Sequence, residues 1–211
     1  MSESDAPKTG AANETEKRII VSFTSYPARI GMLEPMLQSI FGQTRKADEF
    51  ILWLASEQFP NAEKDLPANL LKHMEEGRLT VRWCDEDLRP HKKYWYAFRE
   101  YPDDVIITVD DDIIYQPDLI ESLVRSWQAR PGAVSAGRVN LMRFGGAHEL
   151  VPYEDWIFGL DFPPDTPCMQ LLAVGCGGVL YPPGLLDRDA HPPEEMKAHC
   201  LNADDLWLKL L

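Results

Sequence analysis

Long apolar runs are missing from this chain. A membrane-spanning helix needs about 18 or more consecutive apolar residues, and no stretch approaches that length. Positive charge is scarce as well: 21 Lys and Arg stand against 34 Asp and Glu, for a net charge of −13. Nucleic-acid binding rests on a basic surface that meets phosphate, so this balance argues against such a partner. It leaves room for a small anion held through a cation. Cysteine is sparse too. Cys84, Cys168, Cys176 and Cys200 show no C-x-x-C spacing, which disfavours a zinc site or a disulfide framework and points to reduced thiols in a cytosolic protein. The five histidines are scattered; His191 and His199 are too far apart to suggest a shared metal and read as surface or structural residues. The opening MSESDAPKTGAANETEK lacks the apolar core of a secretory signal. It predicts a disordered tail over residues 1–17, ahead of a fold that begins near Arg18.

What is present is ordinary globular material. The 211 residues are 45% hydrophobic and 26% charged, enough for one domain with a substantial core. Short apolar runs alternate with helical patterns. Arg18–Thr24, Phe50–Ala55, Leu79–Trp83 and Val105–Val109 read as strands, mostly apolar, without strict alternation, and bounded by turns. Leu33, Met36, Leu37, Ile40 and Phe41 recur at helical spacing before Gly42. Leu70, Leu71 and Met74 follow Pro67, and a third helix after Pro90 carries Tyr94, Ala97, Phe98 and Tyr101. A fourth begins at Pro117, with Leu119, Ile120, Leu123, Val124 and Trp127 on its stripe. Four strand–helix alternations imply right-handed βαβ units and a mostly parallel sheet with helices on both faces. Beyond Gly132, AVSAGRV and MQLLAVGCGGVLY predict mixed or antiparallel strands. With no internal repeat and no second boundary, residues 18–211 read as one α/β domain. Ligands of open α/β sheets gather at the carboxyl ends of the strands.

Val105 to Asp118 reads VIITVDDDIIYQPD: a buried strand running straight into three aspartates. Burying uncompensated carboxylates is costly, so something positive belongs there. Asp110 and Asp112 form a D-x-D, whose alternate side chains can converge on one hard cation such as Mg²⁺ or Mn²⁺. An acidic loop capping the next helix is the bland alternative. Lys92 and Lys93 stand at a helix start, either as an anion site or as a solvated basic patch. Gly175–Gly178 interrupt an apolar run, where backbone approaches a ligand or another strand, or simply bulges. Asp204 and Asp205 open a last helical segment; by spacing alone they read as cap and dipole partners.

In order, SFTSYPARI, PHKKYWYAF, VIITVDDDIIYQPDLIESLV, GCGGVLYPP and NADDLWL resemble the bacterial glycosyltransferases of the GT-A fold, close to the large inverting family-2-like group. The likeness runs from Arg18 to Leu211. It implies a Rossmann-like nucleotide-diphospho-sugar transferase fold. It also implies that Asp110 and Asp112 bind Mn²⁺ or Mg²⁺ and that Thr24, Ser25, Tyr26, Arg29, Lys93 and Asp111 contact the donor nucleotide and diphosphate. Gly177 and Gly178 would lie beside donor sugar and acceptor, and Asp205, with Asp204 beside it, would be the general base. The implied partners are a nucleotide-sugar donor, UDP-linked, and a glycan or lipid-linked glycan acceptor of a bacterial surface polysaccharide such as lipopolysaccharide. The implied location is cytoplasmic, with peripheral contact to the inner membrane as a variant.

The chain departs from the pattern twice. Many relatives end the second strand in an Asp that pairs with the base, whereas this chain has Leu54-Ala55-Ser56-Glu57. It also ends soon after Asp205, where relatives continue, which leads to the expectation of a fragment or of a completing partner. Two rival functions carry weight. One is a domain that binds sugar or nucleotide without turnover. The other is an aspartyl-phosphate hydrolase, which keeps its nucleophile after the first core strand; the triplet here follows the fourth.

Overall fold

The computed structural model describes residues 17–146, 149–160, 167–185 and 193–211. The expected tail, apart from Lys17, and His191 lie outside the described residues. Strands form where the apolar runs were expected: β1 (Ile19–Thr24), β2 (Glu49–Ala55), β3 (Thr80–Cys84) and β4 (Val105–Thr108). Helices α1 (Glu34–Phe41), α2 (Ala68–Glu75) and α3 (Lys92–Glu100) connect them, and α4 (Leu119–Ala129) follows the triplet. Then come β5 (Ser135–Ala136), β6 (Val139–Leu141), β7 (Leu171–Ala173), β8 (Val179–Tyr181), α5 (Pro193–His199) and α6 (Asp204–Leu210).

The main sheet has the order β3-β2-β1-β4-β8-β5. β1 pairs in parallel with β2 and β4, and β2 with β3. β8 runs antiparallel to both β4 and β5, as the changed pattern after Gly132 predicted. β6 and β7 form a separate antiparallel pair.

The apolar runs do not alternate because both faces of the sheet are covered. Ile19, Val21 and Phe23 join Leu52, Leu54 and Ile107 under α1, α2 and α4. Ile20, Ile51, Trp53 and Ile106 face Ala97 and Tyr101 of α3 on the other side. Each such side chain removed from water contributes about 1.5–3 kcal/mol. β3 is an edge strand, so Arg82 can point to solvent within it. A third cluster, Leu88, Tyr94, Trp95, Met196 and Trp207, docks α5 and α6 onto α3. That docking carries the last acidic pair to the carboxyl end of the parallel strands. Among the described residues, no helix is long and apolar enough to cross a membrane.

Candidate active site

The carboxyl ends of β1 and β4 open into a cleft of about 380 Å³, lined by Ser25, Arg29, Lys93, Asp204 and the aspartate triplet, among others. Each aspartate has its own place. Asp110 Oδ1 accepts a hydrogen bond from Lys93 Nζ at 2.6 Å. Asp111 Oδ2 accepts one from Ser25 Oγ at 2.7 Å, and its Oδ1 lies 3.3 Å from Arg29 Nη1. Asp112 pairs with the other guanidinium nitrogen of Arg29. The positive charge that the triplet demands is therefore supplied, in the free protein, by two side chains of the chain itself. Burial still pushes the Asp111 carboxyl upward, and its acidic neighbours add to this against Ser25 and Arg29.

The turn after β1 makes this possible. The carbonyl of Tyr26 accepts the amides of Arg29 (2.9 Å) and Ile30 (3.0 Å), so the chain folds back and delivers Arg29 to the triplet. The Thr24 hydroxyl is spent on the Trp53 carbonyl at 2.7 Å, which ties β1 to β2. Tyr26 stands 43% exposed at the cleft. From below, the hydroxyl of Tyr115 accepts the Asp110 amide at 2.8 Å.

Lys93 is the hinge of the site. Its ammonium also lies 2.8 Å from Asp204 Oδ2, so it joins the triplet to the acid pair. Burial opposes its charge, but Asp204 and Asp110 outweigh that and hold it well above the ordinary lysine value. A solvated basic patch is thus corrected for both lysines: Lys93 is 3% exposed and Lys92 2%. Lys92 pairs with Asp87 instead. Asp87 in addition accepts Gln58 Nε2 at 2.7 Å and the Arg89 amide at 3.0 Å.

The acid pair does not cap α6: the N-cap residue is Ala203, and no side chain caps it. Asp205 turns both carboxylate oxygens to the Gly175 amide, each at 3.0 Å. Burial and the neighbouring Asp204 push its carboxyl up to about 6, against the Gly175 hydrogen bond. A Cβ on Gly175 would lie 2.9 Å from Asp205 Oδ1 and 3.3 Å from Lys93 Nζ, so a side chain there would displace the Asp205 carboxylate. Gly177 and Gly178 face elsewhere: a Cβ on Gly177 would meet the Arg138 amide at 2.4 Å, and one on Gly178 the Leu119 side chain at 2.9 Å. Within the GCGG run, Gly175 is the member against the acid cluster.

Among the described residues, no three His, Cys, Asp or Glu are grouped to hold a metal by themselves. Asp110 and Asp112 nevertheless offer hard oxygen donors at the cleft, with side chains 29% and 51% exposed. That donor set suits Mn²⁺ or Mg²⁺, which commonly take one or two carboxylates and complete their shell with water and substrate phosphate. Sequence reasoning overlooked Asp87, Gln58 and Arg89; an acidic residue beside Arg89-Pro90 was the available signal.

A mostly parallel sheet with a strand-end acidic triplet defines a nucleotide-diphospho-sugar transferase fold of the GT-A type. More particularly, the model of the family described as "Glycosyl transferase family 2" matches residues 19–148, and the chain belongs to that family. The match includes the triplet and Lys93 but stops before Gly175 and the acid pair. Among solved structures, S. aureus TarS 1–349 in complex with UDP has a TM-score of 0.54 at 15% identity, covering 92% of this chain and 54% of that one. The mannosyltransferase PcManGT from Pyrobaculum calidifontis, in complex with GDP-Man and Mn²⁺, has a TM-score of 0.43 at 19% identity, covering 61% of this chain and 37% of that one. The chain thus spans about half or less of the length of these two structures, and the likeness to TarS bears on the fold alone. No curated protein sequence matches the chain.

Proposed function

We propose that this protein moves a sugar from a nucleotide-sugar donor, UDP-linked, to a hydroxyl of a glycan acceptor with inversion, in bacterial surface polysaccharide synthesis. One observation carries the proposal. Asp205, a carboxylate raised to about 6, sits beside the Lys93–Asp110 contact at the carboxyl ends of the parallel strands. A general base works best with a pKa near the operating pH.

The chemistry is one displacement. Asp205 takes the proton of the acceptor hydroxyl. The freed oxygen pair forms the new bond to the anomeric carbon as the bond to the diphosphate oxygen breaks, and the nucleoside diphosphate leaves with that electron pair. The Gly175 amide keeps the carboxylate aimed while the proton moves. Arg29 and Lys93 provide positive charge where the leaving group gathers negative charge. Ser25, Thr24 and Tyr26 form the turn against which the nucleotide packs. Asp110 and Asp112 would hold the divalent cation, and when bound it offsets the diphosphate charge. The acceptor, a glycan or lipid-linked glycan, enters from the α6 side, and the enzyme works in the cytoplasm or at the inner face of the membrane.

The test is a thermal-shift screen of nucleotide sugars with and without Mn²⁺, followed by assay of released nucleoside diphosphate. A ligand at about a hundred times its Kd stabilises the fold by about 2.7 kcal/mol. Binding without turnover would replace the enzyme with a binding domain. No shift with any nucleotide sugar would remove the donor site.

A further inference from the structure

His91 is fully buried, in the short turn Arg89–His91 that leads into α3. Its Nε2 lies 2.9 Å from the carbonyl oxygen of Cys200, and its Nδ1 lies 2.7 Å from the Tyr94 hydroxyl. A carbonyl only accepts, so Nε2 carries the proton and donates it. Nδ1 is then bare and accepts the Tyr94 O–H. Burial holds His91 below the ordinary histidine value, against the pull of the Cys200 carbonyl, which agrees with a neutral ring. Tyr94 and Met196 pack around it.

The Cys200 carbonyl also accepts the Ala203 amide at 3.1 Å. Ala203 is the residue from which α6 starts, and it has no side-chain cap. α6 is only Asp204–Leu210, and helices this short are not stable alone. Its direction is set by what docks it. Two residues after His91, in the first turn of α3, Lys93 grips Asp204. One corner of α3 therefore fixes where α6 begins and what its first carboxylate meets.

We propose that His91 is a positioning residue for the acid pair: by donating from Nε2 to the Cys200 carbonyl it fixes the corner at which α6 starts and keeps Asp205 on the Gly175 amide. Its importance for transfer rests on Asp205 acting as the base; the positioning itself does not.

Hydrogen exchange of the full chain tests the positioning directly. The Gly175 amide reports the Asp205 contact, and the Ile107 amide in β4 reports the sheet. The amide of His91→Gln can reach the place of Nε2, while that of His91→Asn reaches only the place of Nδ1. His91→Asn should speed Gly175 exchange about tenfold, the scale of one lost buried hydrogen bond, with Ile107 unchanged. His91→Gln should restore protection. Should His91→Asn fail to fold, Tyr94→Phe carries the test, because it removes the oxygen that orients the ring and should loosen Gly175 in the same way. Unchanged Gly175 exchange in the variant that carries the test overturns the proposal. So does equal loss at Gly175 and Ile107, or a His91→Gln protein as loose as His91→Asn. With a donor in hand, His91→Asn should lower kcat and leave the donor KM near its original value. If no nucleotide sugar is turned over, the transferase function falls while the exchange comparison still decides on His91.

Discussion

Lys93 and Asp204 meet at 2.8 Å, and the same ammonium holds Asp110 at 2.6 Å. One buried cation thus serves two carboxylates from distant segments of the chain. Removing one partner of a buried ion pair typically costs 3–5 kcal/mol, because the other charge stays behind without compensation.

Lys93→Met should therefore lower stability by about 3 kcal/mol. The cost is expected to fall when Asp204→Asn is added, because the more buried of the two stranded carboxylates is then gone. Urea denaturation of the two single variants and the double variant measures the coupling. Additive losses would mean that the two side chains do not depend on each other.

The pH dependence of stability follows from Asp205. Its carboxyl is raised to about 6, while an unfolded aspartate titrates near 3.9. Between these values the folded chain binds more protons than the unfolded chain, so stability falls as pH rises through the interval. The contribution is fully present below about pH 4 and amounts to about 2–3 kcal/mol. Asp205→Asn keeps an acceptor for the Gly175 amide and has no charge to bury. The variant should be more stable than the original protein at pH 7 and equal to it near pH 4. Identical melting profiles at pH 7 would contradict the raised value.

A divalent cation at the triplet predicts a different pattern. Asp112→Asn frees Arg29 from one partner and removes a hard donor, while the sheet below stays intact. Calorimetric binding of UDP should weaken in Mn²⁺ and change little in EDTA. Equal UDP affinity in Mn²⁺ and EDTA for the original protein would exclude a metal role for the pair.

Much of this architecture was legible in the sequence because the signals were strong. β1, β2 and β4 are mostly apolar and do not alternate, as central strands covered on both faces require. Gly42 and Pro67 punctuate helices where expected. Side-chain partners were harder to foresee, because they depend on long-range geometry. Arg29 looked like a nucleotide contact, yet in the free protein it neutralises Asp111 and Asp112. Lys92 and Lys93 differ by one position, yet they reach Asp87 and Asp110 on different sides of a turn. His91 resembled any scattered histidine until its carbonyl partner, Cys200, was brought to it by the packing of Tyr94, Met196 and Trp207.

Choosing the base between two adjacent carboxylates gives the final prediction. A base needs a lone pair that is not already committed to a cation. Asp204 is 8% exposed and committed to the Lys93 ammonium, which draws on its electron density and fixes its position. Asp205 accepts the Gly175 backbone amide through both oxygens, and burial with the charge of Asp204 raises its affinity for a proton. The same repulsion that makes Asp205 costly to fold thus makes it the better proton acceptor. General-base help is worth about 10²- to 10⁴-fold in rate. Asp205→Asn should cut transfer at saturating donor by about a hundredfold or more while UDP affinity stays close to that of the original protein. Asp204→Asn should mainly cost stability through Lys93 and reduce the rate less. Transfer by the original protein should rise with pH through about 6, and the remaining activity of Asp205→Asn should lack that dependence. Initial rates and UDP affinities of the two variants across pH 5–8 settle the assignment. Full activity in Asp205→Asn would move the base elsewhere, and a product that keeps the donor's anomeric configuration would end the single-displacement mechanism.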